Sequence, residues 1–220
     1  MKASVRDLSC CLRALATDDH ARLGLAPEVL ASLFEGRGWA EPSTDYGLGW
    51  MVQADYHGVT LMRHGGSLKG ISAHQGFVPE RDVGVVVLCN LDEVPVKRLW
   101  AVGINLALGL PADTPLQHVP EDAAARGPAP AAVAGLYASG EPWGRFEVRE
   151  ENGVLRAYTG EDGSLAGRLA WLDDRTFVLE TDAGAWSGGR FHLNETGEAI
   201  AAQQGMRWYV REAASHSTPG

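Results

Sequence analysis

Lysine is almost missing from this chain: 220 residues contain three, at positions 2, 69 and 97, and none has a serine three places before it. Without Ser-x-x-Lys, and with no other evident activated nucleophile, the chain does not by itself hold the attacking group of a Ser-Lys hydrolase. Cysteine is also sparse. Cys10, Cys11 and Cys89 are an odd number with two adjacent, which excludes a disulfide framework. No Cys-x-x-Cys stands with histidine at zinc-ligand spacing, so neither a metal nor any other cofactor is expected. The cysteines read as small apolar residues of a reduced protein. Positive charge is not in excess: a net charge of −9 argues against nucleic acid or anionic lipid as a partner. No run approaches the roughly 18 apolar residues of a membrane span. Met1-Lys2-Ala3 leads into Arg6 and Asp7 rather than an apolar core, so no signal peptide is visible and the compartment stays open.

What is present is ordinary globular material. Hydrophobic residues make up 45% and charged residues 21%, enough to bury one large core or two small ones. Ser4 reads as the N-cap of a helix with Asp7 closing an acidic capping box, and Val5, Leu8, Cys11, Leu12 and Leu15 share one face. Asp18-Asp19-His20 ends that helix. A second helix is expected from Pro27 to Phe34, followed by a loop marked by Gly36-Arg37-Gly38 and Glu41-Pro42-Ser43. Extended segments follow at Tyr46–Gln53, Val59–Gly65, Ser72–Val78 and Val83–Asn90, with turns at Tyr56-His57-Gly58 and Pro79-Glu80-Arg81-Asp82. The last of these strands has no polar alternation and should be covered on both faces. Val94 to Leu108 reads as a helix with Val96, Leu99, Trp100, Ile104 and Leu108 as its stripe and Gly109 as its stop.

Residues 111–130, rich in proline and including Ala123-Ala124-Ala125, read as a linker. Beyond it the composition shifts to short strands: Gly135–Tyr137, Arg145–Arg149, Val154–Tyr158, Gly167–Leu172, Thr176–Glu180, Arg190–Leu193, Ala199–Gln203 and Met206–Arg211. Turn signals such as Glu151-Asn152-Gly153 and Leu172-Asp173-Asp174 separate them. Even spacing of short strands predicts a small antiparallel barrel or sandwich over 131–212, with Trp143, Trp171, Trp186 and Trp208 in its core and a frayed tail over 213–220.

Several of these segments together resemble the C-terminal part of the β-lactamase-like serine hydrolases, the superfamily of class C lactamases, penicillin-binding carboxypeptidases and esterases. The segments are Tyr46-Gly47-Leu48-Gly49-Trp50, Arg63-His64-Gly65-Gly66, Gly76-Phe77-Val78-Pro79 and Val85-Val86-Val87-Leu88-Cys89-Asn90. His-Gly-Gly in place of Lys-Thr-Gly is most similar to the D-aminopeptidases and related peptidases, some of which carry a C-terminal β-barrel. The resemblance spans roughly Ser4 to Leu110. It implies an α+β fold for residues 1–110, part of an antiparallel sheet with flanking helices, followed by the all-β barrel. It also implies that the Ser-x-x-Lys and Tyr-x-Asn elements would precede Ser4. The chain is therefore expected to be the C-terminal portion of such an enzyme, inactive alone.

On that resemblance His64 takes the place of the motif's cation. Neutral imidazole donates one hydrogen bond, and only the protonated ring can pair a substrate carboxylate, so a weaker preference for C-terminal carboxylates is expected. Gly65 and Gly66 weaken a strand unless something must approach its backbone closely, and a substrate chain is such a visitor. Ser67 would lend its N–H to half of an oxyanion hole. The substrate class implied is a small amide, ester or peptide, with D-amino-acid amides favoured over β-lactams. Gly47 and Gly49 are assigned to close packing under Trp50, and His57 and His74 lie too irregularly to join His64 around a metal. Two other readings stay open: a noncatalytic binding module, or a subunit completing another chain's site. Val83–Asn90 is expected to be an uncharged apolar edge prone to self-association.

Overall fold

The computed structural model of the chain describes residues 3–16, 23–91, 94–123, 126–140, 144–159, 163–182 and 184–213, leaving aside the side chains at 185 and 186. The expected helix stop at Asp18-Asp19-His20, the residue Trp143, the Trp186 side chain and nearly all of the tail fall outside that description. The chain divides into two compact units, Met1–Leu116 and Gln117–Gly220. The fold is α+β, a six-stranded antiparallel sheet with helices in the first unit and a closed eight-stranded barrel in the second.

Helix α1 (Val5–Ala16) starts as its capping box dictates: Ser4 N and Oγ both donate to Asp7 Oδ2 at 2.8 Å, and Asp7 N donates back to Ser4 Oγ. Only Leu12, Ala14 and Leu15 are buried. Val5 and Cys11 of the expected stripe are exposed, as is Cys10, because the helix meets the sheet through its C-terminal half. Helix α2 (Pro27–Leu33) begins on proline as expected. The segment read as a loop instead folds into two short strands, β1 (Gly38–Glu41) and β2 (Thr44–Tyr46), with Ser43 at positive φ in the turn between them. Nor is Tyr46–Gln53 one strand. Gly47 N donates to Trp50 O and Gly49 has φ +86°, so a tight turn separates β2 from β3 (Met51–Tyr56).

His57 and Gly58, both at positive φ, join β3 to β4 (Val59–Leu68) in the mirror-image turn that matches strand twist. β5 (Ile71–Val78) and β6 (Val83–Cys89) complete the sheet in sequential order. One face packs Leu12, Leu15 and Leu30 against Trp50, Val52, Met62 and Phe77. The other receives α3 (Val96–Ala107), with Trp100 seated on Gly76 and Gly103 against Val85. β6 thus has a helix on either side, with Gly84 facing Leu12. That is the expected cover on both faces, although as the last strand β6 is only half-buried and Leu88 is exposed. Leu99 is exposed too, since it lies about 100° round the helix from the buried Trp100. Gly109 at φ +76° ends α3 in a Schellman turn: Leu110 N reaches Asn105 O and Gly109 N reaches Leu106 O. Buried Asn105 accepts from Tyr56 Oη at 2.5 Å and donates to the carbonyls of Ala112 and Thr114, while Gln53 holds Leu116 O. No helix among the described residues is long and apolar enough to cross a membrane.

In the second unit α4 (Pro130–Val133) leads into β7 (Gly135–Ala138), β8 (Arg145–Glu151), β9 (Val154–Thr159), β10 (Ser164–Trp171), β11 (Thr176–Thr181), β12 (Gly184–Leu193), β13 (Ala199–Gln204) and β14 (Arg207–Arg211). Each strand pairs with its sequence neighbour, and β14 returns to β7 to close the ring. Asn152-Gly153, both at positive φ, make the β8–β9 turn, and Asp173 Oδ1 accepts from the Arg175 and Thr176 amides at the β10–β11 turn. The interior is filled by side chains: Tyr137 stacks on Phe146, Phe177 stacks on Phe191, and Trp171 sits edge-on to Phe177. Trp208 is a correction. It alternates outward from buried Tyr209, is 50% exposed and stacks on His192.

Candidate functional site

β4 is ten residues long and β3 only six, and this mismatch exposes the candidate segment. Pairing between them ends at Met51↔Arg63, whereas β4 and β5 stay in register through His64↔Gln75, Gly65↔His74, Gly66↔Ala73, Ser67↔Ser72 and Leu68↔Ile71. Among the described residues no strand pairs with the far side of 64–68. A stretch of backbone is therefore offered to solvent on one edge while the other edge holds it rigid. His64 and Gly65 are half-buried, and Gly66 and Ser67 are exposed. Such an edge can take an extended chain by strand addition.

The two glycines have different causes. A Cβ on Gly65 would collide with the His74 ring, so that glycine is explained by packing beneath the strand. A Cβ on Gly66 would meet nothing within 4 Å. The close-approach argument thus attaches to Gly66, and the pair read as equivalent from sequence is not.

Beside them stands a contact that sequence reasoning did not assign. Tyr46 Oη lies 2.9 Å from His64 Nε2, with the rings edge to face at 5.9 Å. Tyr46 is fixed at the end of β2, paired to Gly38 and Met51, with Arg37 N donating to its carbonyl. Gly47 lets this happen. A Cβ there would stand 2.5 Å from Glu35 O and 3.1 Å from Leu33 O, so the chain after Tyr46 runs tight against the carbonyls at the end of α2 and just beyond it. Gly49 serves its turn through positive φ.

Beneath the strand, on the α3 side, lies a buried ionic cluster that the sequence did not suggest. Arg63 is fully buried and pairs with Glu41, which Lys97 also grips at 2.9 and 3.1 Å; Thr44 Oγ1 and Met51 Sδ accept from the same guanidinium. Burial alone would raise the Glu41 carboxyl, but the Arg63 and Lys97 charges hold it down at about 2. Burial, with Arg63 adding repulsion, pushes Lys97 down to about 8. His74 is pushed down to about 3, by burial first and then by the charges of Arg63 and Lys97, so it is neutral against Trp100 at 4.8 Å. Because β-strand side chains alternate, Arg63 and His64 point to opposite faces of β4. No three His, Cys, Asp or Glu side chains among the described residues gather as a metal would require.

No protein-family model and no curated protein sequence matches the chain. Solved structures do share its fold. A structure of SurE with D-Leu aligns with 96% of this chain at 24% identity and a TM-score of 0.61, and a second SurE structure aligns with 96% at 23% identity and 0.56. The octameric penicillin-binding protein homologue from Pyrococcus abyssi aligns with 96% at 18% identity and 0.48. These alignments cover 50%, 48% and 47% of the respective structures, so the chain spans about half the length of the proteins it matches.

Proposed function

We propose that residues 64–67 are the substrate wall of a β-lactamase-like serine hydrolase, a peptidase or esterase of the D-aminopeptidase-like kind, whose nucleophile this chain does not contain. The observation that carries the reading is the unpaired edge of β4 at residues 64–68, bare at Gly66 and backed by a rigid partner strand. In acyl transfer that wall has two jobs. It lines up the substrate backbone by main-chain hydrogen bonds, and Ser67 N–H supplies one donor to the developing oxyanion. A single such donor is worth about 3 kcal/mol in the transition state, so the wall contributes orientation and charge stabilisation but no turnover by itself. His64 presents an imidazole donor to the substrate. That one of the fold-sharing structures is of SurE with D-Leu agrees with D-amino-acid amides or peptides as the substrate class.

The test is binding, read at the wall. Adding D-leucinamide to the isotopically labelled chain is expected to shift the amide signals of His64, Gly66 and Ser67 saturably, and Gly66→Leu is expected to abolish the shifts while leaving the barrel signals in place. No saturable shift at 64–67 would defeat the proposal. The isolated chain is expected not to hydrolyse a nitrophenyl ester, and robust turnover blocked by a serine-directed inhibitor would contradict the missing nucleophile. The lack of Ser-x-x-Lys equally favours a second reading, in which the same edge binds ligand without catalysis or completes a site on another chain. Restored turnover on mixing with a separate segment bearing Ser-x-x-Lys would distinguish these.

A further inference from the structure

We propose that Tyr46 is a positioning residue that fixes the tautomer of His64, and so makes the wall selective for a neutral carbonyl oxygen over a carboxylate. The proposal rests on the reading of residues 64–67 as a substrate wall, but its central claim concerns one proton and can be measured without substrate.

The argument starts from the 2.9 Å contact between Tyr46 Oη and His64 Nε2. Either group could be the donor. A phenol O–H is a good donor and its oxygen a poor acceptor, whereas the unprotonated imidazole nitrogen is a good acceptor. The Tyr46 hydroxyl also has no other acceptor among the described residues: were Nε2–H to donate, the phenol proton would find no protein partner. Tyr46 therefore donates, Nε2 accepts, and the ring proton resides on Nδ1. Free histidine side chains prefer the opposite form, with the proton on Nε2.

The backbone around Tyr46 is built to hold this. Its neighbours in β1 and β3, the Arg37 amide and the close approach at Gly47 fix the backbone from which the phenol projects. On His64, Nδ1 has no hydrogen-bond partner among the described residues, so Nδ1–H is left as the donor for a visiting group. A neutral donor recognises an amide or ester oxygen. The same neutral donor offers a carboxylate no counter-charge. The expected substrate is thus an amide, an ester or an internal peptide rather than a chain ending in a free carboxylate at this position.

The experiment is to record the side-chain 15N resonances of His64 in the full chain at neutral pH, for the native protein and for Tyr46→Phe. The native ring is expected to show a protonated Nδ1 and an unprotonated Nε2, and Tyr46→Phe is expected to return it to the Nε2–H form. Phenylalanine keeps the edge-to-face ring contact, so the backbone spectrum elsewhere should be unchanged. Native His64 already in the Nε2–H form would overturn the proposal, even if Tyr46→Phe failed to fold. So would an Nδ1–H tautomer that survives in Tyr46→Phe. Failure of the substrate-wall reading has a different signature, namely no amide shifts at 64–67 with D-leucinamide whatever the tautomer. With ligand, the native chain is expected to bind D-leucinamide at least tenfold more tightly than D-leucine, and Tyr46→Phe to narrow that ratio. Equal ratios in the two proteins would count against the selectivity.

Discussion

In the barrel every strand has two neighbours, and the space inside is filled by aromatic rings such as Tyr137, Phe146, Phe177 and Phe191. In the sheet, among the described residues, β1 and β6 each keep one edge open, β4 outruns its neighbour, and the space under β4 holds a guanidinium, a carboxylate, an ammonium and a neutral histidine. Closure leaves no strand edge unpaired in the ring, and apolar filling leaves little charge to be buried. Buried charge placed beside an unpaired edge costs stability and gives a fixed field and a rigid ledge in return. The barrel is closed and filled with apolar side chains, and the first unit carries the buried charges and the strand overhang on which the proposed function rests.

The sharpest way to break this comparison is to remove the same kind of ion pair from each region. Glu41→Gln leaves fully buried Arg63 without its counter-charge, and the expected loss in the first unit is about 3–5 kcal/mol. In the barrel Arg168 pairs with Glu180, but the side chains are 50% and 32% exposed, so Arg168→Gln should cost less than about 1 kcal/mol. Hydrogen exchange followed strand by strand on the intact chain checks both at once. Comparable losses in the two variants would erase the distinction.

Acid should separate the regions next. His74 holds its proton less tightly folded, at about 3, than unfolded, at 6.5, so the unfolded state binds more protons between those values. The neutral ring's contribution is complete above pH 6.5 and is lost as pH falls toward 3. At pH 5 the loss is about 2 kcal/mol. Glu41 adds to it below 4.5, because its carboxylate is held down at about 2 and its contribution disappears only as pH falls through that range. Denaturant melts at pH 7 and pH 5 should show the β3–β5 probes weakening before those of β10–β12. His74→Gln, which does not titrate, should flatten the pH 5–7 part of the slope. A first unit whose stability is level between pH 7 and 5 would sink this account.

How much of this was legible in the sequence follows from the range of the interactions. Local codes were readable: the Ser4–Asp7 capping box, the glycine stop of α3, Asn152-Gly153, and eight short strands whose residues alternate inward and outward. Gly36-Arg37-Gly38 misled because glycines that look like a loop instead lead into a four-residue strand, too short to show a period. Trp208 misled because one residue of register decides whether a strand side chain faces in or out. The candidate segment could be picked out in the sequence, and the groups packed beneath it could not. His64 to Ser67 could be found from their neighbours in the chain, but Glu41, Arg63, His74 and Lys97 are far apart in sequence, and only the sheet register and α3 bring them under one strand. Tyr46 was visible in its motif, and its aim at His64 was not.

The smallest expected effect is the one that best resolves the site. Gly65 and Gly66 are adjacent, both in β4 and both paired to β5, so any general cost of a side chain in this strand is common to the two. They differ in what lies beyond the missing Cβ: the His74 ring at 65, open space at 66. Gly65→Ala must push a packed ring toward Trp100 and should destabilise the first unit by about 1–2 kcal/mol, in the lower part of the overpacking range because the ring can tilt. Gly66→Ala meets nothing, and the reduced freedom of its unfolded chain should make it neutral or more stable by about 0.5 kcal/mol. Its effect should appear instead in binding, where one methyl group on the open edge stands where a substrate backbone would lie. Thermal melts and D-leucinamide titrations on the two variants therefore have opposite expected outcomes, stability lost at 65 and affinity lost at 66. If Gly66→Ala binds as tightly as the native chain, nothing approaches that backbone, and the bare edge is only the overhang of a long hairpin.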